Sequence, residues 1–236
     1  MNILLMTGTI RPQVKIEYSD TETRYNEYMK NIKRYISKSD FDIIIFAENS
    51  GYYFDTKELQ KLSLEHNKTF EYLNLYEEDN RDSNISVGDA RIIQRAIEKS
   101  NYIKKEERIW KVSGRIWIRN VNEILEKDKN CGQNVFLYAP KYNSIQTWFF
   151  SANIHDLQTY FLSAQALELM EESCIEYVFM EMFDKHKEIK ISPFKVYPDA
   201  EGINSSGMPY TISSLKLLLK NIALWLGYYT VKKNME

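Results

Sequence analysis

Ile43-Ile44-Ile45-Phe46 is the feature that most constrains this chain. A short β-branched run with no polar alternation fits a strand buried on both faces, as in a parallel sheet covered by helices. Similar runs recur at helix-length intervals. Residues 2–6 (Asn-Ile-Leu-Leu-Met) end in the turn Thr7-Gly8-Thr9, residues 70–75 alternate, and residues 109–112 form a fourth run. Between them, residues 22–37 place Tyr25, Met29, Ile32 and Ile36 at helical spacing. Residues 56–66 read as a short helix, and residues 88–99 carry Ile92, Ile93, Ala96 and Ile97 on one face. Strands alternating with helices predict βαβ units and a mostly parallel sheet.

The second half reads differently. Residues 134–139 and 144–151 are strands close enough to pair antiparallel. Residues 156–172, 174–186 and 215–227 read as helices, and residues 189–196 as a strand followed by a polar loop through Tyr210. The fold class expected is α/β: a mostly parallel, Rossmann-like sheet flanked by helices, with an antiparallel extension. The 236 residues are expected to form a single domain, 1–125 as a nucleotide-binding half and 126–236 as an acceptor-binding half.

A net charge of −2 supplies no global field for nucleic acid, so any anion site must be local. The two cysteines, Cys131 and Cys174, form no CxxC pair, and the apolar start is too short for a secretory core; both point to a cytoplasmic protein. No apolar run approaches the ~20 residues needed to cross a bilayer.

Ligands of open parallel sheets bind beyond the carboxyl ends of the strands. Three polar turns belong there: Thr7-Gly8-Thr9-Ile10-Arg11, Glu48-Asn49-Ser50-Gly51 and Ser113-Gly114-Arg115. The first is neither a P-loop nor GxGxxG; it reads as a plain turn or as backbone and hydroxyl donors to a nucleotide, with Arg11 adding charge. Lys111 and Arg115 bracket a Ser-Gly, a pattern suited to the charge of a diphosphate leaving group, or simply to a hairpin with two surface cations. Asp40-Phe41-Asp42 matches a bare Asp-x-Asp metal pattern but precedes the second strand, at the wrong edge. A divalent metal therefore has no well-placed Asp-x-Asp, and His66, His155 and His186 lack ligand spacing.

Glu176 sits in an otherwise apolar helix and either faces outward or serves as a general base. His155-Asp156 follows a strand end, where Asp156 reads first as a helix cap. Residues 199–207, with Glu201, Ser205 and Ser206, read as a polar loop suited to sugar hydroxyls or a phosphate nest, or simply as a mobile loop. The last helix presents Leu215, Leu218, Leu219, Ile222 and Leu226 as one stripe, expected to pack on the core. Trp225, Tyr228, Tyr229, Lys232 and Lys233 allow instead a peripheral membrane contact.

Several motifs occur in a telling order: the Asn2–Pro12 start, Phe46-Ala47-Glu48-Asn49-Ser50, the 88–100 stretch, and Trp110-Lys111-Val112-Ser113-Gly114-Arg115. Gln146-Thr147-Trp148-Phe149-Phe150-Ser151, Ile175-Glu176-Tyr177, Tyr197-Pro198 and Glu201-Gly202 follow. In this order the chain resembles a family of GT-A-like glycosyltransferases from bacterial capsule and lipopolysaccharide loci. The resemblance implies a nucleotide-sugar donor as substrate and a glycan or lipid-linked acceptor. With the turns read above, the donor site is expected to comprise Thr7, Gly8, Thr9, Arg11, Glu48, Asn49, Gly88, Lys111, Ser113, Gly114 and Arg115. The acceptor site comprises Trp148, His155, Ser205 and Ser206, with Glu176, Glu201 and Asp156 as catalytic carboxylates. The chain departs from better-known GT-A enzymes in lacking the metal-binding Asp-x-Asp, and in carrying Gly88-Asp89-Ala90-Arg91 where a more acidic stretch is expected. A sugar-phosphate nucleotidyltransferase or a non-catalytic nucleotide- or glycan-binding protein are the alternatives.

Overall fold

The computed structural model describes residues 1–12, 20–76, 84–103, 108–203 and 207–231. In chain order the elements begin β1 (Ile3–Gly8), α1 (Thr21–Lys38), β2 (Ile43–Glu48), α2 (Lys57–Glu65), β3 (Thr69–Asn74), α3 (Ile85–Lys99) and β4 (Arg108–Ser113). Then come β5 (Ile116–Ile118), α4 (Val121–Asp128), β6 (Asn134–Ala139), β7 (Ser144–Asn153) and α5 (Ile154–Asp156). The chain continues through α6 (Ala164–Met170), α7 (Ile175–Lys185), β8 (Ile191–Ser192), β9 (Ala200–Ile203), β10 (Pro209–Tyr210) and α8 (Ser214–Trp225).

Seven strands form one sheet in the order β3-β2-β1-β4-β7-β6-β8, with β3, β2, β1 and β4 parallel and β7 antiparallel to both its neighbours. Alternate residues of each strand feed two cores. Ile3, Leu5, Ile45 and Ile109 pack beneath α3, α6 and α7, while Leu4, Met6, Ile44, Trp110 and Val112 pack beneath α1, α2 and α4. Burial on both faces is why these strands read as unbroken apolar runs.

Four expectations need correction. Residues 156–172 are not one helix: α5 passes into a π-helical segment, Leu157–Phe161, and then breaks. Ser163 takes an extended backbone, and its hydroxyl accepts from the Ala166 N–H at 3.2 Å to start α6. Of residues 189–196 only Ile191–Ser192 pairs, since Pro193 has no N–H for a ladder and Phe194 and Val196 turn into the core. The expected polar loop instead contributes β9 and β10, which join β5 in a second, antiparallel sheet. Within it Gly202 adopts φ +148°, and a Cβ there would lie 2.2 Å from the Arg115 carbonyl oxygen, so only glycine lets β9 approach β5.

The fourth correction concerns α8. Its predicted stripe exists but faces solvent, and the helix docks through Leu217, Asn221 and Leu224. Among the described residues no helix is long and apolar enough to cross a membrane.

Candidate functional site

The chain winds outward from β1 to β2 and β3, then returns to place β4 on the other side of β1. The switch point of the sheet is therefore the β1–β4 boundary, where ligands of open α/β sheets sit at the carboxyl ends. Thr7 and Ser113 are partners in the register there, and the Gly114 N–H donates to the Thr7 carbonyl at 2.8 Å.

Helix α1 closes one side of this edge. Tyr28 lies over both glycines: a Cβ on Gly8 would come within 2.7 Å of its ring, and one on Gly114 within 2.9 Å. These glycines seat an aromatic side chain, so their missing side chains are not open space for a ligand. Arg24 donates to the Thr9 carbonyl, the Thr9 N–H donates to the Tyr28 hydroxyl at 3.0 Å, and Asn31 donates to the Gly114 carbonyl at 3.3 Å. The inward face of α1 thus adds Arg24, Tyr28 and Asn31 to the expected line, of which Ile32 and Ile36 are buried and Tyr25 and Met29 pack at the margin of the core. Three polar side chains at i, i+4 and i+7 were the available signal for it.

Glu48 closes the other side. It is fully buried and accepts from the N–H groups of Ile10 (3.0 Å), Ser50 (2.9 Å) and Tyr52 (3.2 Å), and from the Ser50 hydroxyl. The Arg11 N–H donates to Ser50 Oγ at 2.9 Å, and Thr9 Oγ1 donates to Asn49 Oδ1 at 2.6 Å. The turns after β1 and β2 are therefore one hydrogen-bonded unit. The amides of Thr9, Ile10 and Arg11 are all donated within the protein, which fits the plain-turn reading of this segment. This unit presents outward the half-buried Thr9 and Asn49 and the exposed Arg11.

The end of β4 carries the rest. Lys111 is buried on the α3/α7 face, against the Phe150 ring; its ammonium donates to the Thr147 carbonyl at 2.9 Å and to Ser113 Oγ at 3.3 Å. Burial pushes its pKa down, while the charges of Asp89 and Glu176 pull it back up. Thr147 Oγ1 donates to Glu176 Oε1 at 2.9 Å. Glu176 occupies the first turn of α7, where a carboxylate meets the positive end of the helix. Tyr210 stands beside it, its hydroxyl pKa raised by burial and by the Glu176 charge, and its ring lies 5.4 Å from Trp148. Arg115 points the other way, beneath α1, with Nη1 3.5 Å from Glu27 Oε2. Lys111 and Arg115 thus do not act as a bracket: the turn at Gly114 sends them to opposite faces, and each lies buried near acidic groups.

No protein-family model and no curated protein matches this chain. Among solved structures, the WbbM bifunctional glycosyltransferase aligns with a TM-score of 0.51 at 9% identity, over 83% of this chain and 39% of that one. The chain therefore spans about two fifths of that protein's length. A glycosyltransferase involved in the glycosylation of the major capsid of PBCV-1 aligns at TM-score 0.46 and 12% identity, over 83% of each chain. The 4-diphosphocytidyl-2C-methyl-D-erythritol synthase of Anaerococcus prevotii aligns at 0.41 and 12%, over 95% of this chain and 96% of that one. The fold is GT-A-like.

Within this GT-A-like fold several predicted site residues fall elsewhere. Asp156 and His155 follow β7, which runs against β4, so they sit at the amino edge of the parallel strands. There Asp156 accepts from Asn134 Nδ2 at 2.6 Å instead of capping a helix, and His155 Nδ1 lies 3.5 Å from Thr159 Oγ1. Asp40-Phe41-Asp42 lies at the same amino edge, as expected: Asp42 Oδ2 accepts from the Asn2 N–H at 2.6 Å. Glu201 is on β9, held by Arg34 at 2.7 Å and Lys30 at 3.9 Å. The Arg34 hydrogen bond holds its carboxyl below the usual range, which suits an ion pair better than a proton acceptor. Gly88 lies inside the first turns of α3 with its N–H donated to the Asn84 carbonyl at 3.1 Å, so it offers no free donor. Ser205 and Ser206 lie outside the described residues. Among the described residues, no three His, Cys, Asp or Glu side chains cluster to hold a metal ion.

Proposed function

We propose that this chain is a glycosyltransferase that moves a sugar from a nucleotide-sugar donor to a glycan or lipid-linked acceptor in surface-polysaccharide biosynthesis. The observation that carries the reading is the polar cluster at the sheet's switch point. A locked edge (Thr9, Asn49 and Arg11) follows Thr7, which pairs with Ser113 at the end of β4, where Lys111, Thr147 and Glu176 form a hydrogen-bonded group. The sequence resemblance and the GT-A-like fold support the same class. The donor belongs in the 1–125 half, its diphosphate beside exposed Arg11. The acceptor belongs in the 126–236 half, against Trp148 and Tyr210.

Glu176 is the general base. It takes the proton of the acceptor hydroxyl as that oxygen bonds the anomeric carbon, and the bond from that carbon to the diphosphate oxygen breaks. Lys111 is a positioning residue. It is too buried to meet a diphosphate directly, but it fixes the Thr147 carbonyl while its neighbouring hydroxyl holds Glu176.

Incubation with uridine, guanosine and cytidine diphosphosugars tests this. Release of a nucleoside diphosphate that rises when a glycan acceptor is added is the expected result. Pyrophosphate release from a nucleoside triphosphate plus a sugar phosphate would make the chain a nucleotidyltransferase, and binding without turnover would make it a binding protein.

A further inference from the structure

We infer that α8 docks on the surface of an anionic lipid bilayer, the helix lying in the plane of the interface. The helix is tied to the protein along one side. Leu224 is buried, Asn221 Oδ1 accepts from the Tyr197 N–H at 2.8 Å, and Lys220 Nζ donates to the Tyr197 hydroxyl at 2.5 Å over the same ring. The opposite side carries Leu215, Leu218, Leu219, Ile222, Trp225 and Leu226, each between 46% and 84% exposed. At helical spacing these six fall within an arc of about 120°. Single exposed leucines are ordinary on protein surfaces; six large apolar side chains in one continuous stripe mark an interaction face.

Charge selects the occupant. Helix α8 carries Lys216 and Lys220 and no Asp or Glu, and the sequence beyond it adds Lys232 and Lys233 against Glu236, in a chain whose net charge is −2. Lys216 is exposed at the border of the stripe, and Trp225 and the 59%-exposed Tyr228 lie at its end, where amphipathic rings favour a headgroup layer. Two copies of this chain paired face to face would bring the α8 lysines together with no carboxylate in that helix to offset them. Anionic headgroups offset them directly. Twelve helical residues span about 18 Å, short of a bilayer's ~30 Å hydrocarbon core, so the helix lies along the interface instead of crossing it. Because β10 leads into α8 and carries Tyr210, docking would hold the Trp148–Glu176 side of the site near the lipid. That orientation rests on the glycosyl-transfer reading, whereas the docking itself does not.

The test is sedimentation of the full chain with vesicles of phosphatidylcholine, alone or with one third phosphatidylglycerol. About ten-fold stronger binding to the anionic vesicles is expected, weakening with salt. A Leu218→Asp/Trp225→Asp double variant should stay in the supernatant with an unchanged melting temperature, because both side chains are exposed. Glu176→Gln should sediment like the parent, which separates docking from catalysis. Equal sedimentation of parent and double variant, no binding to anionic vesicles, or a concentration-dependent dimer dissolved by the double variant would overturn the inference.

Discussion

Replacing Glu176 by Gln is expected to lower kcat by about 10²- to 10⁴-fold while leaving donor KM within about three-fold. The substitution keeps the side chain's size and an oxygen able to accept from Thr147 Oγ1, now 2.9 Å from the carboxylate. It removes the capacity to hold a proton. Asp89 still faces Lys111, so the buried ammonium keeps one acidic neighbour. Steady-state kinetics with a varied donor separate the two parameters. A kcat loss under about three-fold would place the base on another residue, whereas an equal rise in KM would mean that Glu176 holds the donor.

Glu48→Ala is expected to act on the fold first and on binding second. The carboxylate, with no exposed surface, gathers three backbone N–H groups and one hydroxyl. Removing it strands those donors at ~1–3 kcal/mol each, partly relieved if water enters the space left. A net loss of about 3 kcal/mol, or roughly 6–12 °C in Tm for a chain of this size, follows. Glu48→Gln should lose less, since its amide oxygen still accepts while its NH₂ opposes one donor. Thermal unfolding of the three proteins gives the order parent, Gln, Ala. An Ala variant as stable as the parent would show that the turns after β1 and β2 hold their shape independently of this carboxylate.

Much of the parallel sheet is readable from sequence because burial on both faces leaves continuous apolar runs. The misplacement of the only Asp-x-Asp follows from strand polarity alone. Where reading failed, the cause was contact over long sequence separation. The inward face of α1 carries Arg24, Tyr28 and Asn31 because the turns after β1 and β4 need hydrogen-bond partners, and a hydrophobic stripe cannot reveal that need. Strands β9 and β10 are short and pair through a positive-φ glycine, a signal too local to separate from a loop. For α8, periodicity identifies the stripe but not what covers it. Lys111 and Arg115 look alike in sequence, and only the turn at Gly114 sends one toward Thr147 and the other toward Glu27.

On the proposed function, a nucleoside diphosphate is expected at the β1–β4 switch point. A crystal structure of the protein soaked with uridine, guanosine or cytidine diphosphate tests it most directly. Diphosphate density is expected beside Arg11 and Ser113, with the nucleoside along the Thr9–Asn49 edge. Density at the amino edge of the sheet, near Asp42 or Asp156, would contradict it.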